Sequence, residues 1–175
     1  MNIERYPILS VVINVKLYLQ RDASSEQARY QVADEQGRLR YTVTGKRTAS
    51  SESVWIKEPD GATVCRIRGL GFSALSIYSV SAGSESMRLN IAVGAGRAAV
   101  RFRGISFFLR GDVLAGSYSI LDADTAVVCS VGKDFSRGCI QLELNQDERE
   151  VFCLATAICI DSINVGYIPS LAVSG

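Results

Sequence analysis

Arginines that occur in pairs separated by one residue are the side chains of this 175-residue sequence best suited to do chemistry. Successive side chains of a β-strand point to opposite faces, so two arginines at i and i+2 project from the same face. Arginine makes forked hydrogen bonds to phosphate and carboxylate groups, and neighbouring strands that carry such pairs therefore predict a cationic surface for an anionic head group. The three pairs are Arg38 with Arg40, Arg66 with Arg68, and Arg101 with Arg103.

The basic residues are concentrated in one part of the chain. Residues 29–110 hold 13 Lys and Arg against 6 Asp and Glu, whereas residues 111–175 hold 3 against 9. The whole sequence has a formal net charge of only +1, which does not predict an electrostatic nucleic-acid binder. A local cationic patch is one interpretation of the arginine pairs. The simpler alternative is that they form the ordinary polar outer face of a sheet.

Residue types that support catalysis are sparse. The sequence contains no histidine, which excludes imidazole acid–base catalysis, Ser-His-Asp triads and zinc sites that need imidazole. Two carboxylate pairs, Asp34 with Glu35 and Asp122 with Asp124, fall in predicted turns, where such side chains cap the backbone. We therefore predict no catalytic residue, no metal ion and no cofactor.

Two short motifs have a structural explanation. Residues 94–99 have the glycine spacing of a dinucleotide-binding loop, but that loop needs a following helix, and residues 99–103 alternate like a strand. The tripeptide Arg110-Gly111-Asp112 matches an integrin-binding motif, and we interpret it as a hairpin corner. Neither motif predicts a ligand.

The cysteines predict a reducing environment. Their number is odd, no two lie in a C-x-x-C motif, and each is surrounded by aliphatic residues, so we expect free, buried thiols in a cytoplasmic protein. The N-terminus lacks the features of a signal peptide, and the longest apolar run, residues 151–160, is about half the length of a membrane span. The five are Cys65, Cys129, Cys139, Cys153 and Cys159.

The elements that position these residues are mainly strands. Between residues 28 and 144 the sequence consists of short alternating segments separated by polar or glycine-containing turns, which is the pattern of an all-β region. Three stretches, 30–46, 54–69 and 118–133, share a strand–turn–strand design, with Gly37 and Gly61 in the first two turns. We predict a single domain over residues 1–175.

A hydrophobic helix is predicted at the C-terminal end. Residues 151–160 are apolar on every side apart from Thr156, and a helix that is apolar all round must be buried all round. Asn145 and Glu148 have the spacing of a capping box at its start. An all-β chain with such a helix predicts a sheet wrapped around it.

A set of segments occurs in a characteristic order along the chain: the hairpin from Tyr30, the strand 41–46, the hairpin 54–68 ending in Arg66-Ile67-Arg68, the turn 110–112, the strand 118–120, Gly132-Lys133, and Leu154-Ala155 to Ile160-Asp161. These features, in this order, resemble the LURP-one-related family of the tubby C-terminal-like superfamily. The resemblance covers roughly residues 6–163 and leaves residues 164–175 as a C-terminal tail. It implies a mainly β fold: a closed antiparallel β-barrel of about twelve strands around a central hydrophobic C-terminal α-helix.

The resemblance also implies a binding function, because tubby domains bind phosphoinositides and the related scramblases work at membranes. We expect a non-enzymatic module, peripheral at a membrane and without a transmembrane span, whose basic barrel face docks anionic phospholipid head groups. The basic face could instead meet an acidic protein partner. One alternative function is a protein-interaction or scaffold domain with no small-molecule ligand. Another is an enzyme with its site at a barrel mouth. The arginines assigned to the lipid site are Arg38, Arg40, Arg66, Arg68, Arg101 and Arg103.

Overall fold

The computed structural model describes residues 14–72, 74–145 and 149–166, which form twelve strands followed by one helix. The strands begin where the sequence alternates between apolar and polar residues, as the period of two requires. The elements are β1 (Val15–Arg21), β2 (Ala28–Ala33), β3 (Leu39–Arg47), β4 (Ser51–Lys57), β5 (Thr63–Phe72), β6 (Leu75–Ala82), β7 (Glu85–Gly94), β8 (Arg97–Arg103), β9 (Phe108–Asp112), β10 (Ser117–Leu121), β11 (Val127–Asp134), β12 (Cys139–Leu144) and α1 (Glu150–Gly166).

The strands form one antiparallel sheet that curves into a nearly closed barrel. Its strand order is β8-β7-β6-β5-β4-β3-β2-β1-β12-β11-β10-β9, so every neighbour except the β1–β12 pair is also consecutive in sequence. The β1–β12 ladder places Val15 opposite Leu144 and joins the two ends of the chain. The end strands β8 and β9 contact each other, but no ladder pairs them in the described chain. The predicted twelve-stranded barrel is confirmed.

The hairpin turns follow the sequence prediction. Gly37 has a φ of 75° and Gly61 a φ of 93°, values that favour glycine because it has no Cβ. Ala95 and Gly96, with φ of 50° and 72°, form the β7–β8 turn. The glycine motif at 94–99 therefore runs from the end of β7 through this turn into β8, and it lacks the helix that a dinucleotide site requires.

The integrin-type tripeptide lies slightly before the predicted corner. Arg110, Gly111 and Asp112 are the last three residues of β9, and the turn to β10 comes directly after them. A Cβ on Gly111 would lie 2.6 Å from the carbonyl oxygen of Ser117, so the close approach of β9 to β10 requires glycine here. The tripeptide is thus part of a paired strand.

The core is built from the inward-facing residues of the strands and from the helix. Residues 152–162 are all buried, and the sole hydroxyl in the centre of this stretch, that of Thr156, donates to the carbonyl of Phe152 at 2.8 Å. The central hydrophobic helix is therefore confirmed. Within the described residues, no helix combines the length and the apolarity needed to cross a bilayer. Fully buried strand residues that surround the helix include Leu17, Leu19, Ile56, Ile67, Leu89, Ile91, Ile120, Leu142 and Leu144.

The two ends of the helix differ from the sequence expectation. Asn145 donates from its side chain to the carbonyl of Val127 at 2.9 Å and from its backbone to that of Val128 at 2.9 Å. It therefore stays hydrogen-bonded to β11 directly after β12. The helix begins only at Glu150, and Glu148 of the proposed capping box lies outside the described residues. The helix also extends past Asp161 to Gly166, into the segment assigned to the tail.

The cysteines are free thiols, and all of them lie in the described residues. Four are buried, as predicted, and Cys139 is half-buried. Burial raises the pKa of the Cys65 thiol to about 12, so this side chain stays protonated and unreactive at neutral pH. The cysteines therefore act as small apolar core residues.

The central position of the helix predicts the effect of a charge at its midpoint. Ala157 is 2% exposed, and Ala157→Asp would bury an unpaired carboxylate. We expect a loss of at least about 3 kcal/mol in the free energy of unfolding, measured by urea titration with circular dichroism. Ala49→Asp, at an exposed turn residue, is the control and should leave the midpoint unchanged. A wild-type midpoint for Ala157→Asp would contradict the central-helix architecture.

Candidate binding surface

The outer surface of strands β5 to β8 carries a set of exposed arginines. Alternate residues of β5, β6 and β7 are buried in the barrel and those of β8 are half-buried, so the residues between them project outward. We call this outward surface of β5–β8 the basic face. Its central arginines, all exposed, are Arg66 and Arg68 on β5, Arg88 on β7, and Arg101 and Arg103 on β8.

The register of the sheet places three of these arginines in one row. Arg68 lies opposite Ser79 on β6, Ser79 lies opposite Arg88, and Arg88 lies opposite Arg103. Neighbouring strands are about 4.8 Å apart, so the row spans about 14 Å across the barrel wall. Because Ser79 is small, the guanidinium groups on either side have room to turn toward a shared ligand.

No carboxylate occupies an outward strand position on the basic face. Four acidic residues lie on strands β4 to β8 or in the turns between them. Glu52 faces the interior, Glu58 and Asp60 lie at the β4–β5 turn, and Glu85 pairs with Arg149 at 3.0 Å. In the part of the chain that the structure describes, none of the five arginines forms an ion pair. Their charges are therefore available to an external anion.

Two of the six predicted arginines lie elsewhere and have carboxylate partners. Arg38 donates from Nε to Asp34 Oδ2 at 2.8 Å within the β2–β3 turn. Burial acts to raise the pKa of Asp34, but hydrogen bonds from the Arg38 backbone and side chain outweigh it and lower that pKa. Arg40 lies 3.2 Å from Glu150 at the start of the helix. The structure thus brings together four of the predicted residues and adds Arg88, which stands alone in sequence and has no i+2 partner.

Polar clusters hold both ends of the helix to the barrel wall. At the upper end, where the helix begins, Glu150 accepts hydrogen bonds from the Tyr41 hydroxyl at 2.7 Å and from Arg40. At the lower end, Asp161 accepts from Arg21 at 2.9 Å and from the Tyr30 hydroxyl. These clusters neutralise the buried carboxylates and fix the helix along the barrel axis.

The lower mouth of the barrel contains a polar cavity of about 190 Å³. Its carboxylate, Glu52, is already engaged by Arg29 at 3.2 Å and by the hydroxyl of Ser162 at 3.3 Å. The volume is below the roughly 300–1,000 Å³ that is typical of small-molecule pockets. The basic face, with its unpaired cations, is therefore a stronger candidate for a binding site than this cavity.

A known protein family and a solved structure are similar to this chain. The sequence model of a family described as LURP-one-related matches residues 15–161. The structure is similar to the X-ray structure of a protein from Arabidopsis thaliana, with a TM-score of 0.55 and 13% sequence identity, over 86% of this chain and 91% of that chain. At this identity the likeness shows the fold alone. No curated protein matches the chain.

The lower helix-end cluster predicts a specific pattern of stability loss. Asp161→Ala would leave the buried Tyr30 hydroxyl without its acceptor, and we expect a loss of about 1–3 kcal/mol in the free energy of unfolding. Arg21→Ala is the matched control, since the Arg21 side chain is 57% exposed and its ion pair should contribute less than about 1 kcal/mol. Urea titration of both variants measures the difference. Equal losses would contradict the role of Asp161 as the acceptor for a buried hydroxyl.

The buried tyrosines predict an alkaline loss of stability. Burial raises the pKa of Tyr30, Tyr41, Tyr78 and Tyr118, and that of Tyr41 reaches about 12. Since these folded-state pKa values lie above the unfolded value of about 10, the stabilisation is complete below pH 10 and declines as the pH rises above it. Urea midpoints should therefore fall as the pH rises from about 10 to about 12, and less steeply for Tyr41→Phe. A flat profile would contradict the raised pKa values.

Proposed function

Because the chain belongs to the LURP-one-related family, we propose that it is a non-enzymatic binding module whose basic face docks anionic phospholipid head groups. The observation that carries this proposal is the position of Arg88 directly opposite Arg103 on adjacent strands. Like charges in directly opposed positions repel each other and destabilise a sheet. An anion bound between the two guanidinium groups would remove that repulsion.

The neighbouring residues support a ligand with several phosphate groups. Arg68 lies in the same row as Arg88 and Arg103, while Arg66 and Arg101 lie two residues along their strands from Arg68 and Arg103. Guanidinium groups form forked hydrogen bonds with phosphate, and the serines between them add hydroxyl donors. A phosphoinositide-like head group, which presents more than one phosphate, fits this distribution better than a single phosphate.

The electrostatics favour reversible docking rather than permanent attachment. Each basic residue near an anionic membrane contributes about 1 kcal/mol, so five arginines supply about 5 kcal/mol at low salt. Screening reduces this contribution over a distance of about 8 Å at physiological ionic strength. Because the protein carries free thiols, typical of a reducing compartment, we place this docking at the cytoplasmic side of a membrane.

Vesicle co-sedimentation tests the proposal. Wild-type protein should bind phosphoinositide-containing vesicles more tightly as their anionic content rises and less tightly as salt increases. Arg101→Glu/Arg103→Glu should lower the partition coefficient at least thirtyfold, a loss of about 2 kcal/mol from the two contacts removed. Circular dichroism should show the same fold as the wild type, since both residues are exposed.

A charge-matched control separates a specific face from net charge. Lys133→Glu/Arg137→Glu changes the net charge by the same amount at the β11–β12 hairpin, away from the basic face, and should bind nearly as the wild type does. Equal losses in both double variants would reject a defined lipid-binding face. Absence of binding to every vesicle would reject lipid docking and favour an acidic protein partner.

A further inference from the structure

The basic face changes in character along its strands. Toward the lower end of the barrel, apolar residues enter the outward rows. Leu70 lies opposite Ile77, in a row that Asn90 and Arg101 complete, and Leu75 lies opposite Ala92, which in turn lies opposite Ala99. We call these five apolar residues the apolar band. It directly adjoins the cationic rows, since Leu70 follows Arg68 by two residues on β5.

The apolar band exposes two large hydrophobic side chains on the outer wall of the barrel, where polar side chains are expected. Leu70 is 51% exposed and Leu75 is 40% exposed, and they lie on adjacent strands. Leu75, Ala92 and Ala99 also line one shallow surface groove. In the described residues, the other exposed large hydrophobic side chains are isolated on separate elements: Leu39, Phe108 and Phe135.

We infer that the β5–β8 wall lies against an anionic bilayer with Leu70 and Leu75 inserted below the lipid phosphates, an inference that rests on the proposed function. A strand rises about 3.3 Å per residue, so Leu70 lies about 7 Å along β5 from Arg68. Apolar faces of interfacial proteins enter a membrane by about 5–10 Å, so one tilt of the wall places the leucines below Arg68. Arg101 is level with Leu70 in the register, and its long side chain can extend back to the head groups. A free phosphate would engage the arginines and leave the leucines in water, whereas a bilayer uses both.

Charged residues elsewhere on the barrel agree with this orientation. Arg97 flanks the apolar band at the lower end of β8, where its long side chain can extend to the head groups. Outward-facing acids, Asp112, Asp134 and Glu143, lie on β9, β11 and β12 instead. Basic residues of the same strands partly offset these acids, and Arg137 pairs with Asp134 at 3.7 Å, so an anionic surface attracts β5–β8 more strongly than that wall. The membrane therefore meets the side of the barrel, and the helix stays enclosed.

Depth-dependent fluorescence quenching tests the insertion. Trp55 is the single tryptophan of the sequence, so Trp55→Phe gives a silent background for one new probe. On phosphoinositide vesicles that contain lipids brominated near the upper acyl chain, Leu75→Trp in this background should lose at least half of its emission. Lys133→Trp, at the β11–β12 hairpin, is the control and should lose little. Equal quenching of the two probes would overturn the assigned orientation.

Serine substitutions measure the apolar contribution separately from charge. Leu70→Ser/Leu75→Ser keeps every arginine and should lower vesicle affinity about tenfold, with the larger relative loss at high salt, where the electrostatic part is screened. Leu39→Ser is the matched control and should bind as the wild type does, since Leu39 is 40% exposed on β3. The fold of each variant is checked by circular dichroism.

The two proposals fail in distinguishable ways. If arginine reversal abolishes binding while the double serine variant binds normally and Leu75→Trp is not quenched, the lipid-docking function stands and the insertion is wrong. If the wild type binds no vesicle, both are wrong. Binding lost in the serine variant together with quenching of Leu75→Trp supports the insertion.

Discussion

The burial of a helix that is apolar on all sides is the constraint on which this structure depends. Residues 152–160 cannot all be buried against one face of a sheet, because a helix on an open sheet exposes part of its circumference to water. A curved sheet of twelve strands covers that circumference. The pairing of β1 with β12 is what draws the sheet around the helix, since it joins strands from the two ends of the chain. The order of the strands thus follows from a requirement set by the last element of the chain.

Enclosure of the helix divides the strand residues into inward-facing and outward-facing classes, which are subject to different constraints. Inward residues must be apolar, or must pair with a polar group of the helix, as Tyr41 does with Glu150 and Tyr30 with Asp161. Gly69 shows how tightly the inner surface is filled, because a Cβ there would lie 2.6 Å from the ring of Tyr78. Outward residues have no part in covering the helix, so their charge and polarity are free to serve another purpose. The basic face and the apolar band both consist of such residues.

The sequence predicts those features that depend on local patterns. Alternation with a period of two identifies the strands, and the all-round apolarity of residues 151–160 identifies the buried helix without knowledge of any partner. Local patterns do not predict which residues far apart in sequence contact each other. Spacing places Arg38 and Arg40 on one face of a strand, but Glu150, the partner of Arg40, is 110 residues away in sequence. Only the register shows that Arg40 belongs to the helix end.

The same limit explains why Arg88 and the apolar band do not stand out in the sequence. Arg88 has no arginine two residues away, and its significance comes from Arg103 on the next strand. Leu70 and Leu75 belong to different strands and become neighbours only through the β5–β6 pairing. Cross-strand neighbours depend on register, which is set by turns and by the core face together. Features that join several strands therefore require the structure.

The lack of neutralising residues on the basic face is a second physical argument for the proposed anion binding. Ser79 lies between Arg68 and Arg88, at a position where a glutamate would form ion pairs with both and relieve the repulsion in the row. Elsewhere the protein does use such pairs, since Asp34 binds Arg38 and Glu150 binds Arg40. The barrel wall therefore retains an electrostatic strain that a single substitution would remove. A surface under selection for stability alone would lose that strain, whereas a surface that binds an anion must keep it, because a resident carboxylate would compete with the ligand.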